Sequence, residues 1–503
     1  MANITISPAN PHERILSAKR ISRIVFIGLL LDILSFTIIL PLLPRSLEAY
    51  KAREGSDPAT LLGSALYWVS VLREYILKHS SPHRPGFLQQ GPRADMVLLG
   101  GLLGSLYSLL QCLVAPVIGR VADKIGRRRT LMVCMAGNIA WTVVWVFAGS
   151  FETFLVARII AGLSEGNVQL SNTIIADVTD PQTRSHGMAL VGIAFAIGFT
   201  LGPSIGAYFA QLNPDLLLSG GSTVFEYAPF AMAALFSLVL LVVECVYLFV
   251  RLPETLHYAS RAANANANTN TNANAKTNTN SKAKANKSAS AALLRRLNYL
   301  HFVYLFFFSG MEYTLTFLTH DKFGFTNAQQ GKLLGFVGIT STLIQGGYVR
   351  RIKNKPSKKT RDKSLVSQGM VGCAFGLFSI AFCCLKIEAN DANAEWWLWC
   401  GAIGLALASA TVVNCLNSLV SLVANRSGGG SDIGRRLGDF RSAGQIGRAL
   451  GPMFACSVYW LSGAATCYMA GAAAVSLIAL LFIVTVPAYN ATIDNSINVK
   501  KSV

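Results

Sequence analysis

Two charged side chains lie inside long apolar segments of the 503-residue sequence. Asp32 lies in IVFIGLLLDILSFTIILPLL (24–43), nine residues after Arg23, and Arg158 lies seven residues after Phe151. If these segments are helices that cross a bilayer, both side chains lie roughly 10–13 Å deep, near the middle of a ~30 Å hydrocarbon layer. A charge at that depth is costly, so each residue is a candidate for function.

An aspartate inside a membrane is stable in two states. It pairs with a cation, or it binds a proton because desolvation disfavours its charged form. A residue that alternates between these states couples proton binding to another process, and Asp32 is a candidate for this role. The structural alternative is a permanent Asp32–Arg158 ion pair that holds two helices together. Glu244 and Lys332 lie near predicted helix ends, and we expect their charged groups to reach the aqueous boundary.

Other side chains in the apolar segments are candidates to line a substrate cavity. Glu165 follows Arg158 by seven residues, which would place both on one face of a helix. Tyr304, Phe308 and Glu312 recur every four residues and would form a stripe that suits a bulky, partly apolar solute. The alternative for Glu312 is a neutral, hydrogen-bonded side chain between packed helices. Further inward-facing candidates are Gln345, Asn414, Asn417, Gln445 and Arg448. Amides in membrane helices often serve only to hold neighbouring helices together.

Glycines recur at small-residue spacing in GIAFAIGFTLGPSIGAY (192–208). The recurring residues are Gly192, Gly198, Gly202 and Gly206. Such spacing lets a neighbouring helix approach closely. Pro203 removes a backbone hydrogen bond and can bend the helix. Tight packing explains the glycines but explains the added proline less well, so we predict a bend in this helix.

The stretch GRVADKIGRRRT (119–130) holds five cations and one carboxylate between two apolar segments. It is a nuclear-import or nucleic-acid patch, an ordinary cytoplasmic loop of a membrane protein, or a working part of one. A tight hairpin between two membrane helices cannot present itself to an import receptor. Its arginines would hold the loop in the cytoplasm. Gly119 would permit close helix approach, and Asp123 would cap a helix N-terminus or pair with a basic group across an interface. We therefore treat the loop as a candidate cytoplasmic gate.

The elements that position these residues are membrane-spanning helices. Apolar residues make up 52% of the chain and charged residues 14%, and the apolar residues fall in blocks about twenty residues long, enough to cross a bilayer. The first block is too long for a signal peptide and lacks a small-residue cleavage site. We expect an all-α polytopic membrane protein of twelve helices. Their approximate ranges are 24–43, 97–118, 130–149, 151–173, 187–209, 228–250, 299–319, 332–349, 366–386, 397–423, 442–462 and 465–486.

The helices divide into two bundles of six, separated by an Asn-, Thr- and Ala-rich stretch (264–290) that is too polar to fold and that we expect to be disordered. The predicted parts are a cytoplasmic tail (1–23), a first six-helix bundle (24–250) with an outer loop (44–95), a cytoplasmic linker (251–298), a second six-helix bundle (299–486) and a cytoplasmic tail (487–503). Within the outer loop, 61–77 would form a short interfacial helix. With both termini in the cytoplasm, the inner segments carry more positive charge than the whole chain's net charge of +19, and the outer segments are net negative, so topology rather than nucleic-acid binding explains the basic composition.

Signals for catalysis, metal ions and cofactors are missing from the sequence. It contains no G-x-S-x-G, P-loop, H-E-x-x-H or dinucleotide-binding motif, and we expect no enzyme activity and no cofactor. The ten cysteines include no C-x-x-C pair and lie in or beside apolar segments, which favours small buried side chains over disulfides or metal ligands.

Three motifs resemble those of the major facilitator superfamily. GRVADKIGRRR (119–129) resembles its signature loop, G-x-L-x-D-R-x-G-R-[RK], with Val121 and Lys124 as mild departures. The matching residues are Gly119, Asp123, Gly126, Arg127 and Arg128. LVARIIAGLSEG (155–166) resembles the helix-four motif, and GFTLGPSIG (198–206) resembles the helix-five motif typical of antiporters. The second-half copy of the signature loop, GGYVRRIKNKPSKKT (346–360), is basic but lacks the aspartate and the final glycine, which weighs against a symmetric gate.

The likeness is strongest to the tetracycline-antiporter branch and its animal members, through LLLDILSFTIILPLLP (29–44) and FFFSGMEYTLTFLTH (306–320). The resemblance implies a monomeric secondary transporter in the lipid bilayer whose two halves rock around a midplane site. It implies exchange of organic anions or amphipathic drug-like solutes for protons, with Asp32 as the coupling carboxylate and Arg158 as its modulator. Two alternatives are a metabolite uniporter with purely structural charges, and a receptor or scaffold that binds its ligand without transporting it.

Overall fold

The computed structural model describes residues 11–39, 42–55, 57–79, 92–180, 183–209, 230–258, 279–325, 327–349, 351, 361–389, 391, 393–426 and 432–487. Both predicted tails lie partly outside these ranges, at 1–10 and 488–503. So do parts of the predicted outer loop (80–91), of the linker (259–278) and of the second-half loop copy (352–360).

Helices account for nearly all of the described chain, and strands are absent from it. The first half consists of α1 (Pro11–Ile38), α2 (Leu43–Glu54), α3 (Leu61–His79), α4 (Pro92–Ile125), α5 (Arg127–Val146), α6 (Phe151–Ser164), α7 (Asn167–Val178), α8 (Arg184–Phe209) and α9 (Ala231–Arg251). The predicted short helix in the outer loop is present as α3.

The second half consists of α10 (Thr279–Phe323), α11 (Asn327–Leu343), which continues as a π-helical segment (Ile344–Val349), α12 (Arg361–Glu388), α13 (Ala394–Arg426), α14 (Ile433–Ser462) and α15 (Ala464–Thr485). With α6 and α7 taken together, and with α2 and α3 counted as parts of the predicted outer loop, twelve helical segments correspond to the twelve predicted ones.

Nine helices in the described ranges are long and apolar enough to cross a membrane on those criteria alone. The segments that miss the criteria are the α6–α7 pair, α11 with its π-helical continuation, and α14. The first two are interrupted, and α14 carries several charges along its first half. Interrupted or polar membrane helices are the usual carriers of binding sites in transporters.

Helix four differs from its prediction as a continuous segment over 151–173. It breaks at Glu165, whose ψ is 89°, and Gly166, and it resumes at Asn167. The break comes after the Cα atom of Glu165, so the prediction that Arg158 and Glu165 share one helix face stays a prediction. Gly162, Ser164, Gly166 and Asn167 around the break are poor helix formers, and apolar periodicity alone does not register them.

Three other helices begin well before their predicted starts, and one of them is α1, which begins at Pro11 rather than 24. Helix α10 begins at Thr279, twenty residues before the expected 299, because the Ala-, Lys- and Ser-rich end of the linker has adequate helix propensity. The predicted disorder of 264–290 therefore does not hold from Thr279 onward. Helix α14 begins at Ile433 rather than near 442, since its polar first turns pack against α4.

The two halves meet along defined helix pairs. Helix α4 packs against α14 along one side, and α8 packs against α11 and α13 on the other. Inside the first half, α1 packs against α8 and α9, and α5 packs against α6 and α9. Large apolar side chains such as Val133, Val250 and Val484 are exposed on the outer surface, as a lipid-facing bundle requires. The interface between the halves is therefore where a site is expected.

Candidate functional site

Asp32 is 5% exposed and is held by neutral amides. Its Oδ1 accepts a hydrogen bond from Asn167 Nδ2 at 2.8 Å and a longer one from Asn138 Nδ2 at 3.5 Å. Asn138 lies in the middle of α5, and the break before α7 places Asn167 beside α1. Sequence reasoning missed both amides, which lie in helical stretches without any distinctive motif.

Arg158 is 5% exposed and lies over the ring of Tyr107, with 4.8 Å between the guanidinium carbon and the ring centroid. Its Nε and Nη1 have no hydrogen-bond partner among the described residues. Within that part of the chain, Arg158 and Asp32 form no ion pair. The permanent ion pair considered as an alternative is therefore not formed in this structure.

A small cavity lies beside Asp32. It is lined in part by Tyr107, Asn138, Trp141, Glu165 and Leu241, so it draws on α1, α4, α5, α9 and the break between α6 and α7. About 10 Å³ is open to the centre of a water molecule, which is room for a single water. Drug-sized ligands occupy hundreds of Å³, so a ligand of that size does not fit into this cavity.

Arg441 of α14 links the two halves next to this cavity. Its Nη2 donates to Gln111 Oε1 of α4 at 3.0 Å and lies 3.4 Å from Glu165 Oε1. Both partners belong to the first half, whereas Arg441 belongs to the second. Sequence reasoning placed Arg441 in a cytoplasmic loop because the polar start of α14 does not resemble a membrane helix. The cation next to Glu165 and the cavity thus comes from the other half.

The aromatic stripe on α10 is buried at one end and open at the other. Tyr304 and Phe308 stack, with 5.5 Å between ring centroids and 17° between ring planes, and both are buried. Glu312, one turn further, is exposed. The stripe predicted from spacing is real, but only its Glu312 end is accessible in this state.

The predicted amides lie at the contact between the halves. Gln345, 2% exposed, donates from Nε2 to the Ala410 carbonyl of α13 at 3.1 Å. A Cβ atom added to Gly192 of α8 would clash with the side-chain amides of both Gln345 and Asn414, so glycine permits this close approach. Asn417, one turn further along α13, is half-buried. Gln345 therefore serves at least to bind a neighbouring helix, as the packing alternative predicted.

The helix-five glycines pack against α1. Added Cβ atoms at Gly198, Gly202 and Gly206 would clash with Ile33, Thr37 and Ile38, in that order. Thr37 Oγ1 donates to the Gly198 carbonyl at 3.0 Å across this contact. Helix α8 continues through Pro203. The tight-packing interpretation accounts for these glycines, and the bend at Pro203 stays a prediction.

Asp123 caps a helix of the opposite half. Its Oδ1 accepts from the Gly434 backbone N–H at 3.0 Å and its Oδ2 from the Arg435 N–H at 2.7 Å. These are the second and third residues of α14, whose own N-cap residue, Asp432, makes no side-chain cap hydrogen bond. A carboxylate at a helix N-terminus satisfies free N–H groups and interacts favourably with the helix dipole. Asp123 therefore supplies the side-chain cap that Asp432 does not supply to α14.

Arg127 anchors the same loop within the first half. It is fully buried, and it donates from Nη1 to Asp123 Oδ1 at 2.6 Å and from Nε to Asp177 Oδ2 of α7 at 2.9 Å. Glu254 accepts from the backbone N–H groups of Arg127 at 2.8 Å and Arg128 at 3.2 Å. Gly126, with φ of +109°, has no space for a Cβ against Glu254.

These contacts close one end of the bundle, which we call the basic end and define by residues 119–130. Gly119 of α4 lies so close to Gly434 of α14 that an added Cβ would clash with the Gly434 carbonyl. Arg184 Nη1 donates to the Ser421 carbonyl of α13 at 3.1 Å, which joins the halves a second time. The structure therefore represents a state closed at the basic end.

Glu244 and His301 are two further titratable side chains that the structure buries. Glu244 is buried inside the first half, so the expectation that it reaches the aqueous boundary is wrong. His301 of α10 is buried and stacks on Phe440 of α14, with 4.0 Å between ring centroids. Elsewhere in the described ranges, no group of three or more His, Cys, Asp or Glu side chains is arranged to bind a metal ion. All ten cysteines are free thiols.

Comparison with known proteins gives one consistent result. A model of the Major Facilitator Superfamily matches residues 25–452. The human major facilitator superfamily domain-containing protein 10 is 36% identical over 475 residues, which cover 92% of this chain and 92% of that protein. A crystal structure of the human organic anion transporter MFSD10 (TETRAN) covers 92% of this chain and 99% of its own, with a TM-score of 0.73 and 33% identity.

A bacterial relative matches over a shorter region. The class E tetracycline resistance protein of Escherichia coli is 33% identical over 113 residues, which are 22% of this chain and 28% of that protein. The likeness to the tetracycline branch is thus local, whereas the likeness to the animal proteins extends over nearly the whole chain.

Proposed function

The chain belongs to the Major Facilitator Superfamily, as the motif at 119–129 predicted, and we propose that it exchanges organic anions or amphipathic drug-like solutes for protons by alternating access. It is a multi-pass integral membrane transporter and not an enzyme. The solute class is supported by the similarity to a protein described as an organic anion transporter. Exchange, rather than uniport, is supported by the antiporter-like motif at 198–206 and by Asp32.

The observation that carries the proposal is Arg441 at the boundary of the halves. A guanidinium recognises carboxylate, sulfonate and phosphate groups through a fork of N–H donors. Arg441 uses Nη2 for Gln111 and Glu165, and its Nε has no partner among the described residues. Glu165 thus occupies part of a site that the anionic group of a solute would occupy when the halves separate.

Asp32 provides the proton-binding side of the cycle. Two amides and no cation hold it, so its charge is not neutralised by the protein in this state. Proton binding would remove that buried charge without any change of partner. Arg158 lies over Tyr107 in the same half, where it would modulate Asp32 through its charge.

The basic end is the candidate gate. Asp123 spans the two halves through the α14 N-terminus, whereas its partner Arg127 stays within the first half through Asp177. Opening would break the first set of contacts and keep the second. The distribution of charge supports a cytoplasmic location for this end and for both termini. Because one chain contains both halves and the site between them, we propose that it acts as a monomer.

Transport assays in proteoliposomes test this function. The purified chain is reconstituted and given radiolabelled naphthalene-1-sulfonate or tetraethylammonium, whose permanent charges prevent either probe from carrying protons through the lipid. We expect sulfonate accumulation when the pH gradient favours proton movement in the opposite direction. Transport that ignores the pH gradient would favour the uniporter, and binding without uptake would favour the receptor.

A further inference from the structure

Glu244 is an acidic side chain that has no role in the proposed exchange of solute for protons. It lies in α9, is 1% exposed, and forms neither a hydrogen bond nor an ion pair with any described residue; its Oε2 is completely enclosed. Burial of a charged carboxylate without a partner is strongly unfavourable, and such a group usually stays neutral. A leucine or methionine would fill the same space without that cost, so the acid needs an explanation.

Contacts between α1 and α9 fix the position of Glu244 relative to Asp32. The Ser35 and Ser237 hydroxyls lie 2.5 Å apart, and Gly28 packs directly against Leu248. The two helices therefore run antiparallel, and these contacts bracket both acids. Asp32 is three residues from Ser35 and Glu244 is seven from Ser237, whereas each acid is four residues from the Gly28–Leu248 contact, so Glu244 lies between level with Asp32 and about 6 Å nearer the basic end.

The same helix face reaches the cavity beside Asp32. Leu241, one turn before Glu244 on α9, lines that cavity together with Asp32 and Glu165. A chain of acids thus runs from the cavity toward the basic end. Glu244 is linked to Asp32 by its burial and by its position along α9, and not by its residue type alone.

We propose that Glu244 is a second proton-binding site, which passes protons between Asp32 and the basic end. This inference rests on the proposed function, because a relay is needed only if Asp32 binds transported protons. In the transfer toward Asp32, Glu244 gives its acid proton to a water molecule, and that water gives another proton to the Asp32 carboxylate. Atoms and charge are conserved, and Glu244 regains a proton from the basic end.

Charged and titratable groups on the elements that pack against α9 are compatible with this path. Helix α1 contributes Asp32, and α5 contributes Cys134 and Arg128, whose guanidinium donates to the Phe249 carbonyl of α9 and lies 5.2 Å from the Phe249 ring centroid. Helix α8 carries Arg184 and His186 in its first turn, and Glu165 lies across the cavity. Cys245 is the neighbour of Glu244 on α9 itself. Arg128 therefore lies beside the last turns of α9.

Two assays on one set of variants test the relay. The first measures accumulation of radiolabelled naphthalene-1-sulfonate driven by a pH gradient. The second measures counterflow of the same probe at equal pH, which needs solute exchange but no net proton transfer. We expect Glu244→Gln and Glu244→Met to reduce gradient-driven accumulation at least tenfold and to keep counterflow within twofold of the unmodified chain. Glu244→Asp retains an acid and should keep part of the accumulation.

The control is Ser237→Ala, which alters the same buried α1–α9 contact without removing an acid and should change neither assay by more than twofold. Normal accumulation by Glu244→Gln and Glu244→Met, or equal losses in both assays, would overturn the relay and leave Glu244 a packing residue. Asp32→Asn separates the two proposals. If the Asp32→Asn variant also accumulates the probe, the proposed function is wrong. If Asp32→Asn does not accumulate the probe but Glu244→Gln does, only the relay is wrong.

Discussion

The two halves of the molecule share a helix layout but carry different chemistry between their helices. In the described chain, the first half buries Asp32, Arg158 and Glu244 in the middle of its helices, whereas the second half buries Tyr304 and Gln345 there and leaves Glu312 exposed. The difference suggests a division of labour. In the proposed function, the first half would bind the protons, and the second half, with Arg441 reaching across, would bind the solute.

The same asymmetry appears at the basic end. The loop at 119–130 has Asp123, which caps α14 of the other half, and Arg127, which pairs with Asp177. The second-half copy at 346–360 has basic residues but no aspartate, so it has no carboxylate with which to form an equivalent cap. A duplicated helix layout therefore does not require a duplicated gate.

Replacement of Arg127 should have the largest effect. Arg127→Leu leaves the buried carboxylates Asp123 and Asp177 without their cation, and loss of one partner from a buried ion pair costs about 3–5 kcal/mol. We expect a clearly lower unfolding temperature in detergent. Arg129→Leu, an exposed position on the same helix, and Arg351→Leu, in the second-half copy, are matched controls that should leave it unchanged. Equal unfolding temperatures for all three variants would contradict the proposed difference between the loop at 119–130 and its second-half copy.

Replacement of Arg441 tests which half supplies the anion-binding cation. Arg441→Gln should reduce naphthalene-1-sulfonate uptake by about 100-fold, in the range of 2–5 kcal/mol for truncating a buried charged partner. Arg441→Lys keeps the charge without the planar fork and should give an intermediate rate. Both variants should insert into the membrane normally. Uptake by Arg441→Gln at the unmodified rate would place anion binding elsewhere.

Replacement of Asp123 tests the gate. Asp123→Asn weakens charge-assisted hydrogen bonds to α14 and to Arg127, so the closed state loses stability, and we expect about a tenfold fall in turnover with little change in the amount of inserted protein. Asp391→Asn is the control, since Asp391 lies after the end of α12, where it pairs with Lys386 and accepts from the Asn393 backbone N–H without joining the two halves. Equal losses of turnover and insertion would make the loop a topological signal only.

Replacement of Glu312 should have the smallest effect. Glu312→Gln changes an exposed acid on the second-half stripe, and we expect the apparent solute affinity to change by about threefold, close to 0.7 kcal/mol, with proton coupling intact. The measurement compares the concentration dependence of uptake with gradient-driven accumulation. Loss of accumulation in this variant would place a proton site in the second half and end the division of labour.

Apolar runs were sufficient to predict most of the helices and the burial of Asp32 and Arg158. Hydropathy reports directly on which segments enter the bilayer, and a charge within such a run lies in the protein interior. The capping capacity of Asp123 was also readable, because short acids at helix ends have a definite chemistry. These features depend on local sequence.

Features that depend on tertiary packing were missed. The first turns of α14, which carry Arg441, are polar, and their helical state depends on packing against α4 through Gly119 and Gly434. Depth along a helix does not reveal which way a side chain points, so Glu244 was assigned to the aqueous boundary. The depth of Glu244 itself can be read from the sequence, because Glu244 lies seven residues from Arg251, about as deep as Arg158.

Gradient-driven transport by Asp32→Asn tests the central claim, proton coupling in the first half, most directly. Asparagine matches aspartate in shape and can still bond to Asn138 and Asn167, but it cannot bind and release a proton. Proteoliposomes with the unmodified chain should accumulate naphthalene-1-sulfonate against its gradient when a pH gradient is imposed. Those with Asp32→Asn should show counterflow at equal pH but no accumulation. Accumulation by Asp32→Asn at the unmodified level would contradict the account.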